Sequence, residues 1–109
     1  MLRLIDLSAE NMLDELERRQ EATIEAEVRE ARAKTVLTAT EGALLDEMKR
    51  QGTAVEIAKK LVWGRSELLE AHSIYLDVWA DLQRAKSAQV RAREAVELWR
   101  TARADARRA

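Results

Sequence analysis

The sequence predicts an all-α fold, an elongated antiparallel hairpin of two long helices. The 109 residues contain no proline and only three glycines, Gly42, Gly52 and Gly64, so few positions interrupt a helix. Alanine, glutamate, arginine and leucine dominate the composition, which is the usage of long helices. Apolar residues also recur at helical spacing through most of the chain.

Composition limits the function classes as well. Without cysteine there is no disulfide framework, thiol nucleophile or zinc–thiolate site. The first ten residues, MLRLIDLSAE, are too short and too acidic for a signal peptide, and no apolar run is long enough to span a membrane. We therefore expect one helical domain, residues 1–109, in a soluble, cytoplasmic protein that does not act at a membrane.

The first helix is predicted over about residues 8–50. Ser8 suits its N-terminal cap, and Lys49 and Arg50 suit the negative end of the helix dipole. Gly52 then fits the left-handed position that commonly follows a helix. These residues place a turn at about 51–53.

The second helix is predicted over about residues 53–106, because Thr53 and Glu56 have the spacing of a capping box. Two weaker signals for a break lie at 38–42 and at 63–67, around Gly42 and Gly64. A lone glycine costs a helix only about 1 kcal/mol, so continuous helices are favoured. If both breaks occur, the alternative is a compact bundle of three or four helices.

Apolar side chains lie on more than one side of these helices. On a wheel of 100° per residue, helix 2 has one broad apolar face up to residue 82, and its apolar side then turns by about half a turn. Helix 1 has two opposite apolar sides, one with Leu13, Leu16, Ile24, Val28, Ala31, Thr35, Thr38 and Leu45, the other with Ala22, Ala26, Ala33, Leu37 and Leu44. A second apolar side must be buried against something else. We therefore expect a homo-oligomer, most simply an antiparallel dimer resembling a four-helix bundle, or a complex with another protein.

The single histidine, His72, is the first candidate for chemistry. It shares the broad face of helix 2 with Leu68, Tyr75 and Trp79, which we expect to form a packed core seam. No neighbouring residues have the spacing of a metal site or of a nucleophile with its base. The sequence therefore predicts no enzyme, no metal and no cofactor.

Charge is distributed unevenly along the chain. Residues 1–57 carry 8 basic and 13 acidic side chains, whereas residues 84–109 carry 8 basic and 3 acidic ones. The favoured interpretation is that the basic end pairs with the acidic first helix of the same or another subunit. In the alternative it binds nucleic acid, with arginines on phosphates and Trp99 stacked on a base. The residues expected to contact phosphate or an acidic partner are Arg91, Arg93, Arg100, Arg103, Arg107 and Arg108.

Trp63 lies about 160° round helix 2 from Trp79 at 100° per residue, so we expect it to face away from the core seam. Together with Ile74 and Trp99 it is predicted to contact a partner, since exposed tryptophans are common interface anchors. The predicted function is a non-enzymatic helical protein–protein interaction module, a small adaptor, regulator or assembly component with coiled-coil-like contacts. The alternative is a nucleic-acid-associated protein that uses the basic C-terminal third.

Overall fold

The computed structural model describes the backbone of residues 4–108 and the side chains of residues 9–108. Its elements are helix α1 (Leu4–Arg50), helix α2 (Val55–Leu61), a single 3₁₀ turn (Val62–Gly64) and helix α3 (Ser66–Arg108). No strand occurs between residues 4 and 108, so the prediction of an all-α fold is confirmed. Helices α1 and α3 pack against each other, as a hairpin requires.

The predicted turn at Gly52 is confirmed. Gly52 has φ of +84°, the left-handed conformation that glycine adopts at little cost. Its N–H donates to the carbonyl of Lys49 at 3.0 Å, and the N–H of Thr53 donates to the carbonyl of Met48 at 3.0 Å. These two bonds form a Schellman motif, which satisfies carbonyls left free at the end of α1.

Helix α1 begins earlier than predicted and contains no break. It starts at Leu4 rather than near residue 8, so Ser8 lies inside the helix and is not its cap. The helix also continues through Gly42, because a Cβ-free residue costs less there than ending the hydrogen-bond ladder would.

The prediction of one continuous second helix over 53–106 is wrong. Helix α2 ends at Leu61, and Arg65 adopts an extended conformation with φ of −76° and ψ of 133° before α3 begins. The capping box is also absent, because the residue before α2 is Ala54, which makes no side-chain cap hydrogen bond. The break lets Val62 become fully buried, and this tertiary packing outweighs the preference for an uninterrupted helix. Only the second of the two break signals is real, and together with the turn at Gly52 it divides the described chain into three α-helices instead of the predicted two.

The chain forms two compact units. The first, which we call the turn unit, is Glu27–Asp81. Its core is a single cluster in which the end of α1, α2, the 3₁₀ turn and the start of α3 meet, and Leu37 and Leu45 pack against its edge. The buried members of this cluster are Leu44, Met48, Ala58, Val62 and Leu68.

The second unit, the terminal unit, combines Met1–Ala26 with Leu82–Ala109. It joins the beginning of α1 to the end of α3, so the two helices run antiparallel. The described residues that are buried in this unit are few: Thr23, Ala26, Leu82 and Val96. The Thr23 hydroxyl donates to the carbonyl of Arg19 at 2.9 Å, which satisfies the only buried polar side chain described in this unit.

A heptad pattern of buried or half-buried positions, alternating steps of three and four residues, runs through α3: Leu68, Ala71, Tyr75, Val78, Leu82, Ala85, Gln89, Ala92, Val96 and Trp99. The other half-buried positions of α3 lie beside this pattern: His72, Ala80, Gln83, Ala88 and Ala95. A period of 3.5 residues drifts by about 20° per heptad on a straight helical wheel. This drift amounts to about 80° between Ala71 and Trp99, so it accounts for less than half of the predicted half-turn of the apolar side near residue 85. Such a period is typical of coiled coils.

Candidate interaction surfaces

Helix α1 carries a second, outward-facing heptad pattern. We call it the outer stripe: Val28, Ala31, Thr35, Thr38, Gly42 and Leu45, spaced by three and four residues in alternation. The five members from Val28 to Gly42 are exposed, whereas Leu45 is half-buried and packs against the edge of the turn-unit cluster. The opposite side of α1, with Ala26, Leu37 and Leu44, provides the buried or half-buried positions. The prediction that α1 has two apolar sides is confirmed, and the part of the outer stripe from Val28 to Gly42 is the side that the described residues leave exposed.

The outer stripe is more apolar than its composition suggests. The Thr35 hydroxyl donates to the carbonyl of Ala31 at 3.0 Å, so this polar group is satisfied within the helix and leaves its methyl group at the surface. Val28, Ala31, Thr35 and Val36 line a shallow depression, with Arg32 beside them. Lys34 borders the stripe on its other side.

A second set of exposed apolar residues lies on α3 in the turn unit. Leu69, Leu76 and Trp79 are each about half exposed, at 51%, 47% and 47%. The expectation that Trp79 belongs to the core is therefore wrong. In the predicted seam Leu68 is fully buried, whereas His72 and Tyr75 are only half-buried. The heptad explains this division, because Trp79 comes one residue after the seam position Val78.

Trp63 does not face away from the α3 seam. Its ring contacts His72 edge-on, with centroids 5.5 Å apart and an angle of 87° between the planes. The break at Val62–Gly64 changes the direction of the Trp63 side chain. A helical wheel that assumes one continuous helix therefore gives the wrong direction. Trp63 remains 42% exposed, so one surface of its ring stays accessible.

Ile74 does not join Trp63 in a common surface. It is 53% exposed but lies about 200° round α3 from His72 at 3.6 residues per turn. Since His72 is the residue that meets Trp63, the predicted pair of Trp63 and Ile74 is separated.

The basic end of α3 is solvent-exposed. Trp99 is half-buried, and the guanidinium of Arg103 lies 5.3 Å from the centre of its ring, a cation–π contact within one helix. The exposed arginines are Arg91, Arg93, Arg100, Arg103, Arg107 and Arg108. With Lys86, the residues Arg93, Arg100 and Arg107 form a row at intervals of seven.

Some acidic side chains of α1 form ion pairs with basic side chains of the same helix. Glu15 accepts from Arg19 at 2.7 Å and pairs with Arg18 at 2.9 Å, both on α1. These exposed pairs span three and four residues, which is the spacing of neighbours on a helix. The ion pairs of Glu15 therefore lie within α1 and do not involve the basic end of α3.

Polar contacts at two places, between α1 and α3 and at the break around Arg65, were not anticipated from the sequence. The Tyr75 hydroxyl donates to the Glu30 carboxylate at 3.1 Å and joins α3 to α1. This hydrogen bond, together with desolvation and the negative charge of Glu30, raises the pKa of Tyr75. At the break, Arg65 donates to Glu67 at 3.3 Å and lies 3.9 Å from Glu47. Backbone and Arg65 hydrogen bonds lower the pKa of Glu67.

The described residues form no group of three or more metal-ligating side chains. None of the described helices is both long and apolar enough to cross a membrane. No protein-family model matches the chain, and no curated protein or solved structure matches it significantly. Inferences about function therefore depend on the surfaces themselves.

Proposed function

We propose that this chain is a non-enzymatic helical interaction module of the cytoplasm, a small adaptor, regulator or assembly component that binds other helices through its exposed apolar faces. One observation carries the proposal. Among the described residues, more large apolar side chains are exposed than buried, and several lie at helical spacing. Contiguous exposed apolar surface commonly marks a protein-binding site.

The core supports the same proposal. Three of the nine apolar residues that are buried between residues 9 and 108 are alanines, Ala26, Ala58 and Ala71, which contribute little burial each. A helix with two apolar sides is stabilised when the second side meets a partner. Association, either as a dimer resembling a four-helix bundle or with another protein, would supply burial that the single chain lacks.

The test compares Trp63→Ala and Trp79→Ala with Ser73→Ala, a change at an exposed polar position of α3. Each tagged variant is recovered from the cell that makes the protein, and its mass in solution is measured by light scattering. Both tryptophan variants should stay folded by circular dichroism, because both rings are about half exposed, and at least one should lose a bound protein. A wild-type chain that neither self-associates nor retains a protein whose binding depends on either tryptophan would refute the proposal.

The second candidate function is association with nucleic acid through the basic C-terminal third. It is favoured by the row of basic side chains on α3 and by Trp99, which is already stacked with a cation. Binding by this surface should weaken steeply with salt, because arginines on phosphates release counterions. A gel-shift titration with DNA and RNA at several salt concentrations tests it, and no shift even at low salt excludes it.

A further inference from the structure

We infer that the outer stripe of α1 pairs with the outer stripe of a second copy of this chain, antiparallel and about a twofold axis near residues 36–37. The inference deepens the proposed function and rests on it, because it names the partner of one of the exposed faces. The spacing of the stripe, the sizes of its residues and the charges beside it support this pairing.

Spacing and size define a self-complementary register. An antiparallel pairing that sets Thr35 against Thr38 of the second copy also sets Ala31 against Gly42 and Val28 against Leu45. Two small residues therefore face each other on either side of the axis, which allows the backbones to approach closely. The larger apolar residues meet at the two ends, where the helices diverge. Because the pattern is the same in both copies, one patch serves both partners, as in an isologous dimer.

Charge selects the same register. Lys34 and Glu41 lie seven residues apart on one edge of the outer stripe, in flanking heptad positions that meet their counterparts across antiparallel helices. In this register Lys34 faces Glu41 of the second copy, and the twofold axis repeats the pair. A shift of one heptad in either direction would instead oppose Lys34 to Lys34 or Glu41 to Glu41. On the other edge, Arg32 faces the uncharged Ala39.

The first test is Gly42→Gln, measured by sedimentation equilibrium. A Cβ built on Gly42 meets nothing within 4 Å, and glutamine forms helix better than glycine, so the single chain should stay folded. A long polar side chain opposite Ala31 should raise the dimer dissociation constant by about tenfold or more, equivalent to about 1.4 kcal/mol. Ser73→Gln, an exposed change off the stripe, is the matched control and should dimerise as the wild type does.

The second test is a charge exchange. Lys34→Glu and Glu41→Lys should each weaken the dimer by opposing like charges, and the double variant should restore it. Circular dichroism follows helix content in all three variants. A double variant as weak as the single variants would overturn the antiparallel register.

The chain has no cysteine, which permits a third test of orientation. When chains carrying Thr35→Cys are mixed with chains carrying Thr38→Cys, the mixed disulfide should form faster than either symmetric one. Faster symmetric disulfides would indicate parallel pairing and overturn the inference.

The experiments distinguish a failure of the stripe pairing from a failure of the proposed function. A wild-type chain that is monomeric at every concentration, or a Gly42→Gln variant that dimerises normally, overturns the pairing of outer stripes. If such a chain still binds another protein in a manner sensitive to Trp63→Ala or Trp79→Ala, the proposed function stands. If it binds nothing, both are refuted.

Discussion

Leu68 and Leu69 are adjacent in the sequence but lie in opposite environments. Leu68 has no exposed surface and belongs to the turn-unit cluster, whereas Leu69 is 51% exposed. A step of 100° round α3 separates them, so the heptad seam includes one and excludes the other. The pair shows that helix geometry, rather than residue type, determines which leucine stabilises the fold.

We predict that Leu68→Ala lowers the free energy of unfolding by about 2–5 kcal/mol, because it removes a fully buried side chain and leaves a cavity. Leu69→Ala should change it by less than about 1 kcal/mol, since its side chain is already half in water. Urea unfolding followed by circular dichroism measures both. Similar losses in the two variants would contradict the seam register.

Tyr75 is the only tyrosine of the chain, so its titration can be followed directly by ultraviolet absorbance. Its hydrogen bond to Glu30 raises its pKa, which means that the folded state favours the neutral phenol. The stabilisation is complete below the ordinary pKa of about 10 and is lost as pH rises through the higher folded pKa. We expect a titration midpoint above that of the unfolded chain.

Tyr75→Phe supplies the control. Without the hydroxyl, the alkaline decline in stability that depends on Tyr75 should disappear. A wild-type tyrosine that titrates at the unfolded value would contradict the contact with Glu30.

At the scale of elements, the sequence predicts part of this fold and misses part for identifiable reasons. The all-α class and the turn at Gly52 follow from composition and local chemistry, which need no tertiary information. The break near Gly64 was one of two weak local signals, and local propensity does not choose between them, because the break depends on burying Val62 in a cluster formed by distant residues. The surroundings of Trp63 were predicted incorrectly because they depend on this break. Those of Trp79 were predicted incorrectly because the seam of α3 repeats every 3.5 residues, whereas a straight helical wheel assumes 3.6 residues per turn.

A comparison of Gly42 with Gly52 tests which of the two positions has a backbone conformation that requires glycine. A Cβ would meet nothing within 4 Å at either position, but only Gly52 has a positive φ. Gly42→Ala should stabilise the chain by up to about 1 kcal/mol through helix propensity. Gly52→Ala should destabilise it by about 1–2 kcal/mol, because an L-residue is strained in the left-handed region.

Thermal or urea unfolding at low protein concentration measures this pair, so that self-association does not contribute. Stabilisation by both substitutions would mean that the turn does not need the left-handed residue. Destabilisation by Gly42→Ala would mean that α1 needs flexibility at its outer stripe.

At the scale of the whole molecule, the two units differ in the side chains that they bury and in the surfaces that they expose. The turn unit combines a contiguous buried cluster with the outer stripe and the exposed tryptophans. The terminal unit buries mostly small side chains and carries the exposed basic row. Among the described residues, more large apolar side chains are buried in the turn unit than in the terminal unit.

This division predicts unequal protection of backbone amides from hydrogen exchange. Local opening costs less free energy where fewer apolar contacts are broken. In α1, amides of residues 33–48 should therefore exchange more slowly than those of residues 9–24, although both segments are helical. Exchange measured by mass spectrometry at low protein concentration reports the single chain, and Leu68→Ala should speed exchange in the turn unit first. Equal protection of the two segments would show that the terminal unit is stabilised by something beyond its own buried side chains, and repeating the measurement at high protein concentration would reveal whether a second copy supplies it.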